Sequence, residues 1–259
     1  METDVISAII APGSIVGFLM ALVRASTFIA VAPPFNTRAI PVKVKVGLAV
    51  SIALATGSKI APEQADLGWA AIIAATATQA VTGLILGFIA FLFFSAVQAA
   101  GSAIDLFGGF TLTPAMDPLN NVQAGSFGRI YQLLATTLLF VTNGHLMLMK
   151  GFLGSFEVVP LTGPGLNQLG VGLTEQIGRF FLAAIEIAAP MLAALFLAEV
   201  VLGLLSRAAP LMNVFTLGFS FKILLTILLV GFALPLLPGA VIALTEDAIR
   251  AGQQLIGGG

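Results

Sequence analysis

The chain has 259 residues, 58% of them hydrophobic and 9% charged, with a mean hydropathy of +1.07 and a formal net charge of −1. Soluble domains carry roughly a quarter charged residues, so this is the composition of an integral membrane protein, and it offers nothing basic to nucleic acid. Cysteine is absent and His145 is the only histidine, which removes disulfides, thiolate metal sites, cysteine nucleophiles and multi-histidine metal clusters within the chain.

The opening METDVIS carries acids where a secretory signal has a basic stretch, so no cleaved signal peptide is expected. Gly13 to Val31 is the first apolar segment and contains Arg24. Pro33 and Pro34 end it, because proline cannot continue the helical hydrogen-bond ladder. Arg38, Lys43 and Lys45 form the densest basic patch, which the positive-inside rule places in the cytoplasm with the acidic N-terminus outside. Val44 to Thr56 is apolar but short. At ~1.5 Å per residue it reaches about two-thirds of a hydrocarbon core roughly 30 Å thick, so a re-entrant, tilted or half-buried helix is expected. Lys59, Pro62, Glu63 and Asp66 make a polar loop. From Leu67 to Ile104 there is no formal charge. As one helix this stretch would span on the order of 55 Å, so it either bends at Gly83 and Gly87 or projects beyond a bilayer.

Phe107 to Arg129 resembles neither of its neighbours. Gly108, Gly109, Pro114, Pro118, Asn120, Asn121, Gly125 and Gly128 are breaker residues, so it cannot be one continuous helix. Yet Phe107, Phe110, Leu112, Met116, Leu119 and Phe127 are apolar, and Asp117 is the one charge before Arg129. Irregular backbone at membrane depth survives only inside protein or along a water-filled cavity. Two readings follow: a loop that lines or blocks a passage, or a surface connector with a few buried phenylalanines.

Arg129 to Leu148 is the next apolar segment, carrying Asn143, Gly144 and His145 before Lys150. Phe156 to Leu173 is rich in glycine and proline and reads as a loop. Glu175 to Leu205 is helical, with Pro190 at its middle. Arg207, Pro210, Asn213 and Lys222 make a semi-polar break. Ile223 to Leu244 is the last apolar segment, with Pro235 and Pro238 in its second half, and Glu246, Asp247 and Arg250 close the chain. The expected fold is all-α: a single membrane-associated domain over residues 1–259 with about six apolar helical segments, several broken or re-entrant. Broken helices and abundant glycine and alanine both call for protein neighbours, lipid included only on the faces left over.

Ionisable residues within apolar runs are costly and require a partner. Arg24, Glu186, Glu199, Arg207 and Lys222 qualify. Arg179 and Glu186 share a helix face, and Glu199 and Arg207 lie about two turns apart around Gly203. They form either an ion pathway or structural ion pairs within a complex, and the absence of a string of carboxylates and histidines favours the second. A hydrolase would need a nucleophile with a base. Neither GSFG at Gly125–Gly128 nor GSAI at Gly101–Ile104 offers such a motif, and His145 stands alone. Gly108–Gly109 lacks the lysine of a phosphate loop. No catalytic, metal or cofactor site is expected.

The stretch from Glu199 to Lys222, with Gly203, Arg207, Ala209-Pro210, Met212-Asn213-Val214-Phe215 and Gly218-Phe219, resembles the C-terminal signature of the FliR family of flagellar export-gate subunits and their injectisome T-subunit counterparts. The resemblance extends over nearly the whole chain. It includes Arg24 with Pro33 and Pro41, Gly83 and Gly87, Gln98 and Gly101, Asp117-Pro118, Asn143-Gly144-His145, Ser155-Phe156, Pro160 and Pro190. The chain departs from the pattern at Gln79, where a glutamate is expected, and at Leu146, Leu211 and Ser220.

The resemblance implies a non-enzymatic subunit of a type III protein export gate in the bacterial inner membrane, at the flagellar basal body. It would be packed as helical hairpins in a hetero-oligomer with P and Q subunits and surrounded by other export-apparatus and basal-body components. Unfolded flagellar proteins would pass through that assembly. Phe107, Gly108, Gly109, Phe110, Met116, Asp117, Pro118 and Phe127 would belong to a channel plug. Arg24, Glu186, Glu199, Arg207, Pro210, Asn213 and Lys222 would serve assembly. The alternatives are an injectisome gate subunit or a small-molecule or ion transporter built on broken helices.

Overall fold

The structure is a computed structural model and describes residues 12–60, 68–110, 125–158, 166–209 and 214–257. Among these there is no strand. The helices are α1 (Pro12–Val31), α2 (Val42–Thr56), α3 (Trp69–Gly108), α4 (Ser126–Val141), α5 (Gly144–Val158), α6 (Leu166–Ala208), α7 (Val214–Ala233) and α8 (Leu237–Gly257), with 3-10 turns at Gly57–Ile60 and Leu234–Leu236. Four helical stretches are long and apolar enough to cross a membrane, and five if α4 and α5 count as one broken span. The protein is thus an all-α membrane protein.

Several expected boundaries move. The charge-free run is not interrupted at its glycines: α3 is one helix of 40 residues, a path of about 60 Å, twice a hydrocarbon core. The segment from Arg129 to Leu148 is two helices. It breaks at Thr142 and Asn143, where Asn143 takes a left-handed φ of 58° that asparagine tolerates better than most residues. The segment from Ile223 to Leu244 is also two helices, divided by the 3-10 turn that holds Pro235. The expected loop from Phe156 to Leu173 is shorter, because α5 runs to Val158 and α6 starts at Leu166. Arg207 and Lys222 are helical rather than part of a break. Pro210 and Asn213 lie outside the described residues.

The chain divides into two compact units. The first comprises Met1–Leu92, Asn143–Ile177 and Thr245–Gly259. Within it α2 folds back on α1. Met20, Ala21, Arg24, Ala25, Phe28 and Ile29 of α1 are buried, at helical spacing. Phe28 stacks on Phe152 of α5 with ring centroids 4.1 Å apart, and Phe152 meets Phe156 edge-on. Gly83 lets α3 approach α1 closely: a Cβ there would run into the carbonyl of Arg24 and the hydroxyl of Thr27.

The second unit comprises Phe93–Thr142 and Gly178–Leu244. On α3 a broad face is buried, including Phe93, Phe94, Ala96, Val97, Ala100 and Ile104, whereas on α6 the buried positions recur at alternating spacings of four and three: Ala184, Ala188, Met191, Leu195 and Ala198. That is the narrow stripe of a helix packed along one seam. Outside the stripe α6 is apolar and exposed, as at Phe181, Ile185, Leu197 and Val201.

Candidate functional site at the base of the loop

The clearest arrangement of polar groups in the second unit sits where α3 ends and α4 begins. The first N–H groups of a helix have no acceptor within it. The residue before α4 is Gly125, which has no side chain to cap it. Asp105, one turn from the end of α3, supplies the cap instead. Its Oδ1 accepts the Phe127 N–H at 3.0 Å and its Oδ2 accepts the Gly128 N–H at 2.9 Å. The carboxylate is fully buried, yet both oxygens are satisfied and face the positive end of the α4 dipole.

The main chain of Asp105 closes the other end. Gly109 takes a left-handed φ of 85°, and the Phe110 N–H donates to the Asp105 carbonyl at 2.9 Å. A glycine at this place with such a six-to-one bond is the standard way to end a helix. One residue therefore terminates α3 through its carbonyl and starts α4 through its carboxylate. Close approach is possible because Gly125 and Gly101 lack side chains. A Cβ on Gly125 would strike the Asp105 carboxylate, and one on Gly101 would meet the Phe127 carbonyl.

Of the expected plug residues, Phe107 and Gly108 belong to α3 and Phe127 to α4. Phe110 packs edge-on against Phe127, with ring centroids 5.0 Å apart. Phe127 is buried, while Phe107 is exposed. Met116, Asp117 and Pro118 lie outside the described residues. Helix thus extends into Phe107 to Arg129 from both sides, α3 to Gly108 and α4 from Ser126, and Asp105 pins these two helix ends together; residues 111–124 lie outside the described residues. Sequence reading passed over Asp105, although it is the first charge after the long neutral run.

The expected assembly residues separate into three groups. Arg24 is fully buried. Its Nε donates to Gln79 Oε1 at 2.6 Å, its Nη1 donates to the Ser155 carbonyl at 2.8 Å and to the Ser155 hydroxyl at 3.3 Å, and its guanidinium lies 4.5 Å from the centre of the Phe156 ring. Glu199 does not pair with Arg207. It receives Lys222 Nζ at 3.0 Å from α7, and Arg207 is an exposed residue in the last turn of α6, where a cation suits the dipole. Glu186 is exposed on α6, one turn before Pro190. Among the described residues no three His, Asp or Glu side chains gather to hold a metal ion.

The sequence is similar to known proteins over most of its length. Residues 15–248 match the family of bacterial export proteins, family 1. The chain is 30% identical over 211 residues to the flagellar biosynthetic protein FliR of Bacillus subtilis, covering 80% of this chain and 81% of the relative. It is 30% identical over 217 residues to that of Escherichia coli, covering 83% of each. It is also 30% identical over 153 residues to the surface presentation of antigens protein SpaR of Shigella flexneri, covering 58% of each. With nearly its whole length matched, the chain belongs to family 1 of the bacterial export proteins.

Proposed function

We propose that the chain is a non-enzymatic subunit of the flagellar type III protein export gate. In this reading it sits in the bacterial inner membrane at the basal body, joined to P and Q subunits, and helps form the passage for unfolded flagellar proteins. The observation that carries the reading is similarity to flagellar biosynthetic proteins over four-fifths of both chains. Long apolar helices that leave charged groups such as Glu186 and Arg207 exposed support a subunit that needs protein neighbours.

The loop between α3 and α4 is the candidate plug. Phe110 and Phe127 give it an apolar base, and an apolar constriction can close a pore by excluding water. A second reading, an injectisome gate subunit, draws on the similarity to SpaR, which covers less of the chain.

The test is deletion of the gene in the bacterium that carries it, with purification of the tagged chain co-expressed with P and Q subunits. Loss of flagellar protein secretion and of motility, restored by the gene, together with a stoichiometric complex, is the expected result. Intact motility with loss of another secreted set would select the injectisome reading. A monodisperse monomer indifferent to both partners would overturn both readings.

A further inference from the structure

The second unit contains a cleft of about 380 Å³, lined chiefly by apolar side chains of α4, α6, α7 and α8, among them Tyr131, Met191, Leu229 and Phe232. The hydroxyl of Tyr131 is already donated to the Met191 sulfur. One carboxylate, that of Glu186, also lines the cleft, next to Pro190. Among the described residues it makes no hydrogen bond or ion pair. Pro190 is inside α6 and has no N–H, so the main-chain carbonyl of Glu186, four residues earlier, loses its helical donor. A carboxylate and a freed carbonyl of one residue thus stand at an apolar cleft, on a helix whose most apolar stretch is only 22% buried within the chain.

Resting on the export-gate reading, we propose that this cleft receives an apolar membrane helix of a different gate subunit, which inserts one lysine or arginine side chain to bond both Glu186 acceptors. Lipid tails would fill the apolar walls but leave the carboxylate without a donor, which is costly at membrane depth. A second copy of this chain fits less well: within its spans Arg24 is committed to Gln79 and Ser155 and Lys222 to Glu199, and the exposed Arg207 stands in the last turn of α6, at the end of its span rather than at the depth of Glu186. A basic side chain supplies the missing charge and several donors together, and the volume accommodates its aliphatic stem.

The experiment uses the full chain co-expressed with P and Q subunits, with the photoreactive residue p-benzoylphenylalanine replacing Phe232, which is 80% exposed. The expected adduct maps to an apolar helix of another subunit, within about one turn of a lysine or arginine. Glu186→Gln, nearly isosteric and at an exposed position, should leave the helicity of the chain unchanged. It should lower the yield of complex by roughly tenfold or more, the scale for neutralising one member of a desolvated charge pair. Glu186→Lys should lose the complex and regain it when the mapped basic residue is exchanged for glutamate. Adducts with lipid only, with a second copy, or with a helix lacking a nearby basic residue would overturn the proposal. So would an undiminished yield with Glu186→Gln. A wild-type chain that forms no complex at all overturns the gate reading itself, which is a separable result.

Discussion

Arg24 donates from Nε to Gln79 Oε1 at 2.6 Å, so a fully buried cation rests on a neutral amide. The guanidinium Nη2 and the Gln79 Nε2 are both buried and have no hydrogen-bond partner among the described residues. Nε and Nη2 form one edge of a guanidinium, the edge that a carboxylate accepts with two oxygens.

Gln79→Glu should therefore stabilise the chain. It supplies a second acceptor to that edge, removes the unpaired amide N–H, and gives Arg24 a counter-charge. Gln79→Leu leaves the Arg24 Nε unpaired and should cost about 1–3 kcal/mol. Thermal unfolding in detergent, followed by far-ultraviolet circular dichroism, should rank Glu above Gln above Leu. A lower midpoint for Glu than for Gln would refute the argument.

Asp105→Ala should remove both acceptors from the start of α4 and leave the Phe127 and Gly128 N–H groups unpaired, at a cost of about 1–3 kcal/mol for each buried donor. Amide hydrogen exchange should accelerate at Phe127 and Gly128 first. Asp105→Asn keeps one acceptor and should fall between wild type and alanine. Equal protection in all three would mean that the carboxylate does not hold the loop.

Glycine-to-alanine changes should divide by surroundings. At Gly83 the new Cβ meets the Arg24 carbonyl and the Thr27 hydroxyl, whereas at Gly154 nothing lies within 4 Å. Gly154→Ala should be neutral or stabilising by up to about 1 kcal/mol, from helix propensity alone. Gly83→Ala forces α1 and α3 apart and should be the more damaging by about 1–3 kcal/mol, as overpacking is elsewhere. The two thermal midpoints, compared side by side, decide it.

Replacing Gly109–Gln123 by a short glycine–serine linker should leave assembly with P and Q subunits largely intact, because Asp105, Phe127 and Gly128 remain in place. If the loop plugs the passage, cells expressing this form should admit ions or small toxic solutes. An assembled gate as tight as wild type would make the segment a connector only.

Composition and local pattern by themselves determined much of this protein. A charged fraction of 9% is enough to place it in a membrane, since burial in lipid tolerates few charges. Helix positions followed from apolar runs, and the end of α1 followed from Pro33 and Pro34, because these are effects of neighbouring residues. The block from Glu199 to Lys222 was legible as a family signature for the same reason: it is contiguous.

Tertiary structure decided what depends on residues distant in the chain. Glu199 and Arg207 lie about two turns apart on one helix, and the sequence left their partners open; the return of α7 brings Lys222 to Glu199. Gly83 looked like a hinge because glycine weakens a helix by itself, yet in α3 it serves the close approach of α1. Gly172 read as loop, and α6 is helical there, with Leu255 of α8 against the space that a side chain would fill. The clamp at the loop joins Asp105 to Phe127 and Gly128 across 22 and 23 residues. No periodicity encodes such a bond. It exists only because the chain doubles back and brings uncapped N–H groups of α4 to a buried carboxylate on α3, where leaving either unpaired would be costly.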